Sequence, residues 1–316
     1  MASEIEVEEE KFKQFDIVTD YSDHFYANNS INGVGVTFTN PQNNVSKSIM
    51  KEWRNLERNL PDSIYVRVYE GRMDLLRAVI IGADGTPYHD GLFFFDVLFP
   101  TSYPNQPPLF HHRAHGMQLN PNLYPDGKIC LSLLNTWFGS KSKGESWDPS
   151  RSTILQVLLS IQALVLNKKP YSNNPFTFVS SHVRRLSRQY NKQVFILSCK
   201  TMLCLWRRPP KNFEGFVKDH FRGRANKILK ACKDYGDGNA IIGEEMNGNS
   251  VVVPEEWKTV MRDVHALLDA AFNKNEDVGP NKLPSVISTA ANIEFFIFMS
   301  FILLISVLFV VGVFIR

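Results

Sequence analysis

The side chains that could do chemistry are concentrated in one irregular stretch of this 316-residue chain, residues 111–152. Cys130 lies within it, between Ile129 and Leu131. A cysteine thiolate is a strong nucleophile for acyl transfer, but a free cysteine is commonly buried and unreactive. From these neighbours alone, Cys130 could be either a nucleophile or a core residue. Long loops inside a compact domain tend to carry function, which favours this stretch as the place of a site.

Three histidines of the same stretch, His111, His112 and His115, suggest a second chemistry. In cysteine hydrolases a histidine activates the thiol, and a third group orients the histidine. The sequence places no acidic or amide partner to orient any of the three rings. Loop packing is therefore the favoured interpretation, and a Cys/His hydrolase remains the alternative.

Composition argues against several other classes of protein. The formal net charge is only +3, and no stripe of Lys and Arg is interleaved with aromatics, so nucleic acid is not an expected partner. The four cysteines have no paired spacing, so neither a zinc site nor a disulfide framework is predicted. Residues 1–10 are acidic and lack the layout of a signal peptide, so we expect the main body in a reducing, cytosolic compartment.

A helix followed by strands precedes this stretch, and more helices follow it. Apolar residues at helical spacing predict a first helix over residues 45–59, which Pro61 ends. Three strands with short connections, which favour an antiparallel meander, are predicted at residues 64–69, 75–81 and 92–99. Three further helices are predicted at residues 153–166, 180–206 and 212–233.

The ends of the chain differ in composition from this core, which we bound at residues 41–235. Residues 1–40 are predicted to be a poorly ordered lead. Residues 236–292 are predicted to be a linker that carries an amphipathic helix at residues 254–272. That helix either braces the core or binds a partner or a membrane surface.

The C-terminal segment, residues 293–316, is predicted to be a transmembrane tail anchor. Between residues 295 and 315 only Ser300, Ser306 and Gly312 are not large apolar side chains. At about 1.5 Å per residue such a helix spans roughly 30 Å, the thickness of a bilayer core. We expect an endomembrane location, with endoplasmic reticulum preferred, and a domain that faces the cytosol.

The motifs of the core, taken as a set, resemble those of ubiquitin-conjugating enzymes, in order over about residues 45–235. The matching motifs are Tyr103-Pro104, Pro107-Pro108, Pro121-Asn122, Gly127, Cys130, Trp147-Asp148-Pro149 and Leu158-Leu159-Ser160-Ile161. Residues 131–147 are similar to the large hybrid enzymes of this family, which also act as their own ligases. Those hybrids usually have a long N-terminal extension.

The resemblance implies a fold, a reaction and partners. The fold would be α/β (α+β), with a four-stranded antiparallel meander sheet flanked by helices. Cys130 would carry ubiquitin, or a ubiquitin-like protein, as a thioester received from an activating enzyme, which consumes the ATP; no bound cofactor or metal is implied. A protein substrate, with or without a ligase, would receive the ubiquitin. Asn122 would stabilise the transient oxyanion or shape the loop beside it, although an asparagine also often caps its own turn.

The sequence departs from the family pattern at three places. The family's His-Pro-Asn begins with Asn120 here, and Asn105 stands where an aromatic residue usually docks the ligase. Residues 170–175 contain no carboxylate to orient the incoming lysine, whose amine is mostly protonated at neutral pH. Asn174 could position that amine, and Asp148 is the nearest acidic candidate.

Two other functions use the same fold. The domain could be a catalytically inactive ubiquitin-binding or scaffold module, with Cys130 buried. It could also be an adaptor whose purpose is to hold partners at a membrane.

Overall fold

The computed structural model describes residues 12–28, 44–137, 145–173, 183–246 and 250–283. Its strands form one sheet in sequence order: β1 (Phe15–Val18), β2 (Ile64–Tyr69), β3 (Arg72–Ile81), β4 (Leu92–Leu98) and β5 (Leu109–His112). Its α-helices are α1 (Asn44–Asn59), α2 (Ile154–Ser160), α3 (Val183–Arg207), α4 (Glu214–Asp237) and α5 (Glu255–Phe272). The predicted helices are confirmed to within a few residues, except that the one expected at residues 153–166 ends as a π-helix, Ile161–Val165.

Helices α1 and α2 cover the inner face of the sheet. Side chains alternate across a strand, so every second residue of β2, β3 and β4 meets these helices. Val66, Ala78 and Phe95 are fully buried there against Leu56 of α1 and Leu158 of α2. This layer forms the core beneath the irregular stretch that follows β5.

The outer face of the sheet is covered as well, by α3, α4 and α5. Val79 and Phe94 point to this side and join a second core with Phe213, just before α4. The predicted amphipathic helix is α5, and it packs Trp257 and Val264 into the same core. The brace interpretation of this helix is therefore the one the contacts support, and residues 254–272 are part of the domain.

The sheet corrects two expectations about the N-terminal part of the chain. The predicted four-stranded antiparallel meander is present as β2 to β5, but β1 adds a fifth strand that pairs parallel with β2. The prediction of poor order was wrong for residues 12–28, because β1 is hydrogen-bonded into the sheet and Phe12 packs on Phe216. The rest of the predicted lead lies outside the described residues.

No helix within the described ranges is long and apolar enough to cross a membrane. The predicted anchor, residues 293–316, lies outside those ranges.

Candidate active site

Cys130 lies on a small hairpin, residues 120–130, which we call the active-site hairpin. Leu123 and Ile129 form a bridge at its centre, and both side chains are buried in the inner core. Because neighbouring residues of a strand point to opposite sides, Asn122 and Cys130 share the other face. The Cys130 amide donates to the Asn122 carbonyl over 2.9 Å, which fixes the two residues opposite each other.

Cys130 is buried but keeps 6% of its surface exposed, whereas Cys199 and Cys232 have no exposed surface. Its neighbour on the same face of the hairpin is Tyr124. Burial and, next, the Cys130 thiol raise the pKa of the Tyr124 phenol, so it stays protonated at neutral pH. Cys130 thus has a neutral phenol beside it.

The side-chain amide of Asn122 makes no hydrogen bond to another described residue. Its Oδ1 is buried and has no hydrogen-bond partner in the part of the chain that the structure describes. The turn around it is capped instead by Asn120, whose Oδ1 accepts from the Asn122 amide nitrogen over 2.8 Å. Asn122 therefore does not cap its own turn. Its role in stabilising an oxyanion stays a prediction.

Asn120 is the centre of a buried hydrogen-bond network. Its side-chain nitrogen donates to the Tyr88 hydroxyl at 2.9 Å and to the Val165 carbonyl at 2.8 Å. Its oxygen also accepts from Asn173 at 3.1 Å. Val165 ends the π-helix, where carbonyls lose their helical partners, so the bond from Asn120 satisfies one of them. This asparagine ties the active-site hairpin to the end of that helix and to the loop before residue 174.

Of the two residues proposed to assist the lysine, the structure describes only Asp148. Asn174 lies outside the described residues. The Asp148 carboxylate accepts hydrogen bonds from Ser150 and forms an ion pair with Arg151 at 2.7 Å. The bonds from Ser150, followed by that from Arg151, lower the pKa of Asp148 to about 2. Its carboxylate is engaged within its own turn, and its part in catalysis stays a prediction.

The Trp-Asp-Pro motif joins the loops on this side of the molecule. Trp147 donates from its indole nitrogen to the Pro104 carbonyl at 2.7 Å and packs beside Tyr103. Asn105, in the same corner, is exposed and lies in a turn closed by Ser102. The corner thus presents an amide where the family usually presents an aromatic ring.

Two of the three histidines, His111 and His112, lie on β5 and pack against neighbouring elements. His112 is fully buried beside Phe95, and burial lowers its pKa to about 3. His115 lies on the exposed turn that follows. Within the described ranges none of the three hydrogen-bonds to Cys130, and no group of three or more His, Cys, Asp and Glu could hold a metal ion. These contacts support a packing role for His111 and His112, on a strand and not in a loop.

Two residues of this site were missed from the sequence. Asn120 was noted only as a departure, although Asn-Pro-Asn is the pattern of a turn in which the first asparagine caps the third residue's amide. Tyr124 carried no such signal. Its place beside Cys130 follows from the two-residue alternation along the hairpin.

Comparisons with known proteins agree with this geometry. The model of the family described as "Ubiquitin-conjugating enzyme" matches residues 48–196. The putative ubiquitin-conjugating enzyme E2 39 of Arabidopsis thaliana is 49% identical over 244 residues, which cover 75% of this chain and 74% of the relative. This chain belongs to the ubiquitin-conjugating enzyme family. Apart from the first four residues of α1, the inner helices, the meander and the active-site hairpin lie within the matched residues.

Other relatives are much longer than this chain. The probable ubiquitin-conjugating enzyme E2 25 of Arabidopsis thaliana is 54% identical over 230 residues, or 72% of this chain, and the chain spans only 37% of it. Human BIRC6, named a dual E2 ubiquitin-conjugating enzyme/E3 ubiquitin-protein ligase, is 37% identical over 201 residues, which are 4% of its length.

Proposed function

We propose that this chain accepts ubiquitin from an activating enzyme as a thioester on Cys130 and transfers it to a substrate lysine or to a ligase. The observation that carries the proposal is the active-site hairpin, which holds Cys130 opposite an asparagine whose side chain is not engaged elsewhere. Membership of the ubiquitin-conjugating enzyme family supports the same chemistry.

In the first step the Cys130 sulfur attacks the thioester carbonyl that links ubiquitin to the activating enzyme. A bond forms between this sulfur and the carbonyl carbon, and the bond to the activating enzyme's sulfur breaks. The Cys130 thiol gives up its proton, and the departing sulfur takes one up, so the protons balance. One thioester replaces another, so no cofactor of this chain is needed; the ATP is consumed upstream, by the activating enzyme.

In the second step a lysine amine attacks the same carbonyl carbon. Negative charge grows on the carbonyl oxygen, where the free Asn122 amide would donate a hydrogen bond. The carbon–sulfur bond then breaks, Cys130 leaves as a thiolate and takes up a proton, and the amine loses one to solvent. Asn174 and Asp148 remain candidates for positioning the amine.

We further propose that the chain works at an endomembrane, preferably the endoplasmic reticulum, with its domain facing the cytosol. The support is the apolar run at residues 295–315. Fractionation of cells that express the chain with and without residues 293–316 tests this proposal. Recovery of both forms in the soluble fraction would contradict it.

The activity is tested by incubating the full chain in detergent with activating enzyme, ATP and ubiquitin. We expect an adduct that reductant removes, that requires ATP, and that Cys130→Ala abolishes. Cys199→Ala is a matched control, since that thiol is fully buried and should leave the adduct unchanged.

The second candidate is the inactive ubiquitin-binding module. The low exposure of Cys130 and the missing aromatic ring at Asn105 favour it. If ubiquitin binds in titrations but no reducible adduct forms with the wild-type chain, the module is the correct function and the thioester proposal is wrong.

A further inference from the structure

A segment far from Cys130 in sequence reaches the turn of the active-site hairpin. Residues 19–28, which we call the N-terminal strap, cross the outer face of the sheet from β1 toward β5. Asp23 anchors the strap through ion pairs with Arg77 at 2.6 Å and Arg113 at 3.1 Å. The Phe25 amide donates to the Asp96 carboxylate over 2.9 Å. The strap therefore has a fixed path to the edge of the sheet.

At that edge Phe25 meets His111 of β5. The two rings are stacked, with centroids 3.5 Å apart and planes 8° apart. The other side of the His111 ring contacts Gly127, and its Nε2 lies 3.1 Å from the Asp126 carbonyl. Because a carbonyl oxygen only accepts, Nε2 must carry the hydrogen. His111 is held between the strap and the turn.

This turn has no room for a side chain where His111 touches it. Gly127 has a φ of 89°, a conformation that L side chains rarely adopt, and a Cβ there would overlap the imidazole ring. Next to His111 on β5, the His112 amide donates to the Gly127 carbonyl over 2.8 Å. The turn is thus docked onto β5 through two adjacent residues of that strand.

The turn borders an open cleft on this side. A cavity of about 280 Å³ lies between the strap, β5 and the turn, and Phe25, His111, Asp126 and Gly127 are among its lining residues. A turn beside a cavity can shift at lower cost than one packed on all sides. The His111 contacts should therefore decide where the turn sits.

We propose that His111, held by Phe25 of the N-terminal strap, is a positioning residue for the active-site hairpin. It acts through the Asp126 carbonyl and the Gly127 backbone on the hairpin that carries Asn122 and Cys130. A displacement of about 1 Å at reacting groups can lower a rate by up to roughly 100-fold, so the effect of this contact should be measurable. The kinetic part of the inference rests on the proposed function.

The test compares two pairs of variants of the full chain. His111→Leu removes the donor to Asp126, whereas His111→Gln places an amide nitrogen near the position of Nε2. Phe25→Ala removes the stacked ring, whereas Phe25→Tyr retains it. Leu109→Ala is the control, because this exposed residue lies on the same strand as His111 and pairs with Leu98.

The first measurement is hydrogen exchange at the amides of Gly127, Lys128 and Cys130, which are hydrogen-bonded within the hairpin. We expect His111→Leu and Phe25→Ala to speed this exchange about tenfold, as local opening does when a supporting contact is lost. Exchange in β3 should not change. His111→Gln, Phe25→Tyr and Leu109→Ala should resemble the wild type.

The second measurement is single-turnover discharge of the Cys130 thioester to free lysine. We expect His111→Leu and Phe25→Ala to lower the maximal rate about tenfold at an unchanged half-saturating lysine concentration, because positioning acts on the reacting groups and not on lysine binding. If the wild type forms no thioester, the proposed function fails, but hydrogen exchange still tests the contact. Exchange and discharge within twofold of wild type in both His111→Leu and Phe25→Ala would overturn the inference.

Discussion

Two of the regions that bury polar groups in the described chain use them differently. Beneath the N-terminal strap, both oxygens of Asp96 accept from Arg77, at 2.6 and 3.0 Å, and Asp23 completes the cluster. In the active-site hairpin, Asn122 has a buried oxygen with no partner among the described residues. In the first region these ion pairs hold strands and strap together. In the second, the Asn122 side chain makes no hydrogen bond to a described residue, so its amide nitrogen is available as a donor.

The same contrast is found inside the hairpin, between two residues of the same type. Asn120 uses both of its side-chain atoms, in four hydrogen bonds, and is fully buried. Asn122, two residues later, uses only its backbone. We infer that the hydrogen-bonded groups of these two regions are structural and that the unbonded side chain of Asn122 serves the chemistry. Each prediction below tests that division.

Breaking the saturated cluster should have the largest effect, and the effect should be on stability. Arg77→Met leaves the buried Asp96 carboxylate without its main partner, which should lower the free energy of unfolding by about 3–5 kcal/mol. Urea denaturation measures this loss. Lys168→Met, which breaks a highly exposed pair with Glu245, is the control and should change little. A loss for Arg77→Met as small as that of the control would contradict the division.

The same cluster predicts a pH dependence. Burial alone would raise the pKa of Asp96, but His24, Arg77 and Arg113 outweigh it, and the pKa of Asp96 is lowered. The stability that this carboxylate contributes is therefore fully present above its unfolded pKa of about 4. It is lost as pH falls through the lower folded pKa. In Arg77→Met this part of the acid dependence should shrink.

Removing the unsaturated group should have the next largest effect, and the effect should be on rate. Asn122→Ala should slow discharge of the thioester to lysine by roughly 100-fold, because a donor to the growing oxyanion is lost. Its unfolding in urea should resemble that of the wild type, since the side chain makes no hydrogen bond within the described chain. A destabilised protein with an unchanged discharge rate would reverse the roles assigned to Asn120 and Asn122.

Asn120→Leu should affect both properties, each moderately. The change leaves the Tyr88 hydroxyl and the Val165 carbonyl without this donor, at about 1–3 kcal/mol for each buried group that stays unpaired. Discharge should slow about tenfold, because the cap on the Asn122 amide is lost. Asn173→Ala, which removes only one bond to Asn120, should give a smaller loss of both.

Neutralising Asp148 should have the smallest effect. Its carboxylate is engaged by Ser150 and Arg151, so Asp148→Asn should change the discharge rate by less than about twofold. Discharge rates between pH 6 and 8 provide the measurement. A tenfold loss would instead assign Asp148 to the positioning of the incoming lysine.

The parts of the fold that the sequence predicts are those with a local pattern. The helices α1, α3, α4 and α5 and the strands β2, β3 and β4 carry apolar residues at periods that local geometry imposes. The strand β5 has no such pattern, and a fourth meander strand was expected only from the resemblance to the family. Phe15–Val18 was missed because four residues give too short a pattern, and their order comes from pairing with β2, about 50 residues away. The π-helix Ile161–Val165 likewise has no sequence signature of its own.

The residues of the candidate site likewise fall into those with a signal in the local sequence and those without one. Cys130 and Asn122 were predicted from the resemblance of their motifs to those of the family, and the structure places them opposite each other. The role of Asn120 depends on Val165, which is 45 residues away, and could not be read from its neighbours. The contact of Phe25 with His111 could not be predicted either, because these residues are 86 positions apart in the chain.

The central claim is that the Cys130 sulfur carries the acyl group. Its most direct test replaces that atom by oxygen: Cys130→Ser, charged with activating enzyme, ATP and ubiquitin, should form an oxyester that survives reductant. Tandem mass spectrometry of the digested adduct should place the C-terminal ubiquitin peptide on residue 130. A reductant-sensitive adduct that persists in this variant, or ubiquitin found on another cysteine, would contradict the account.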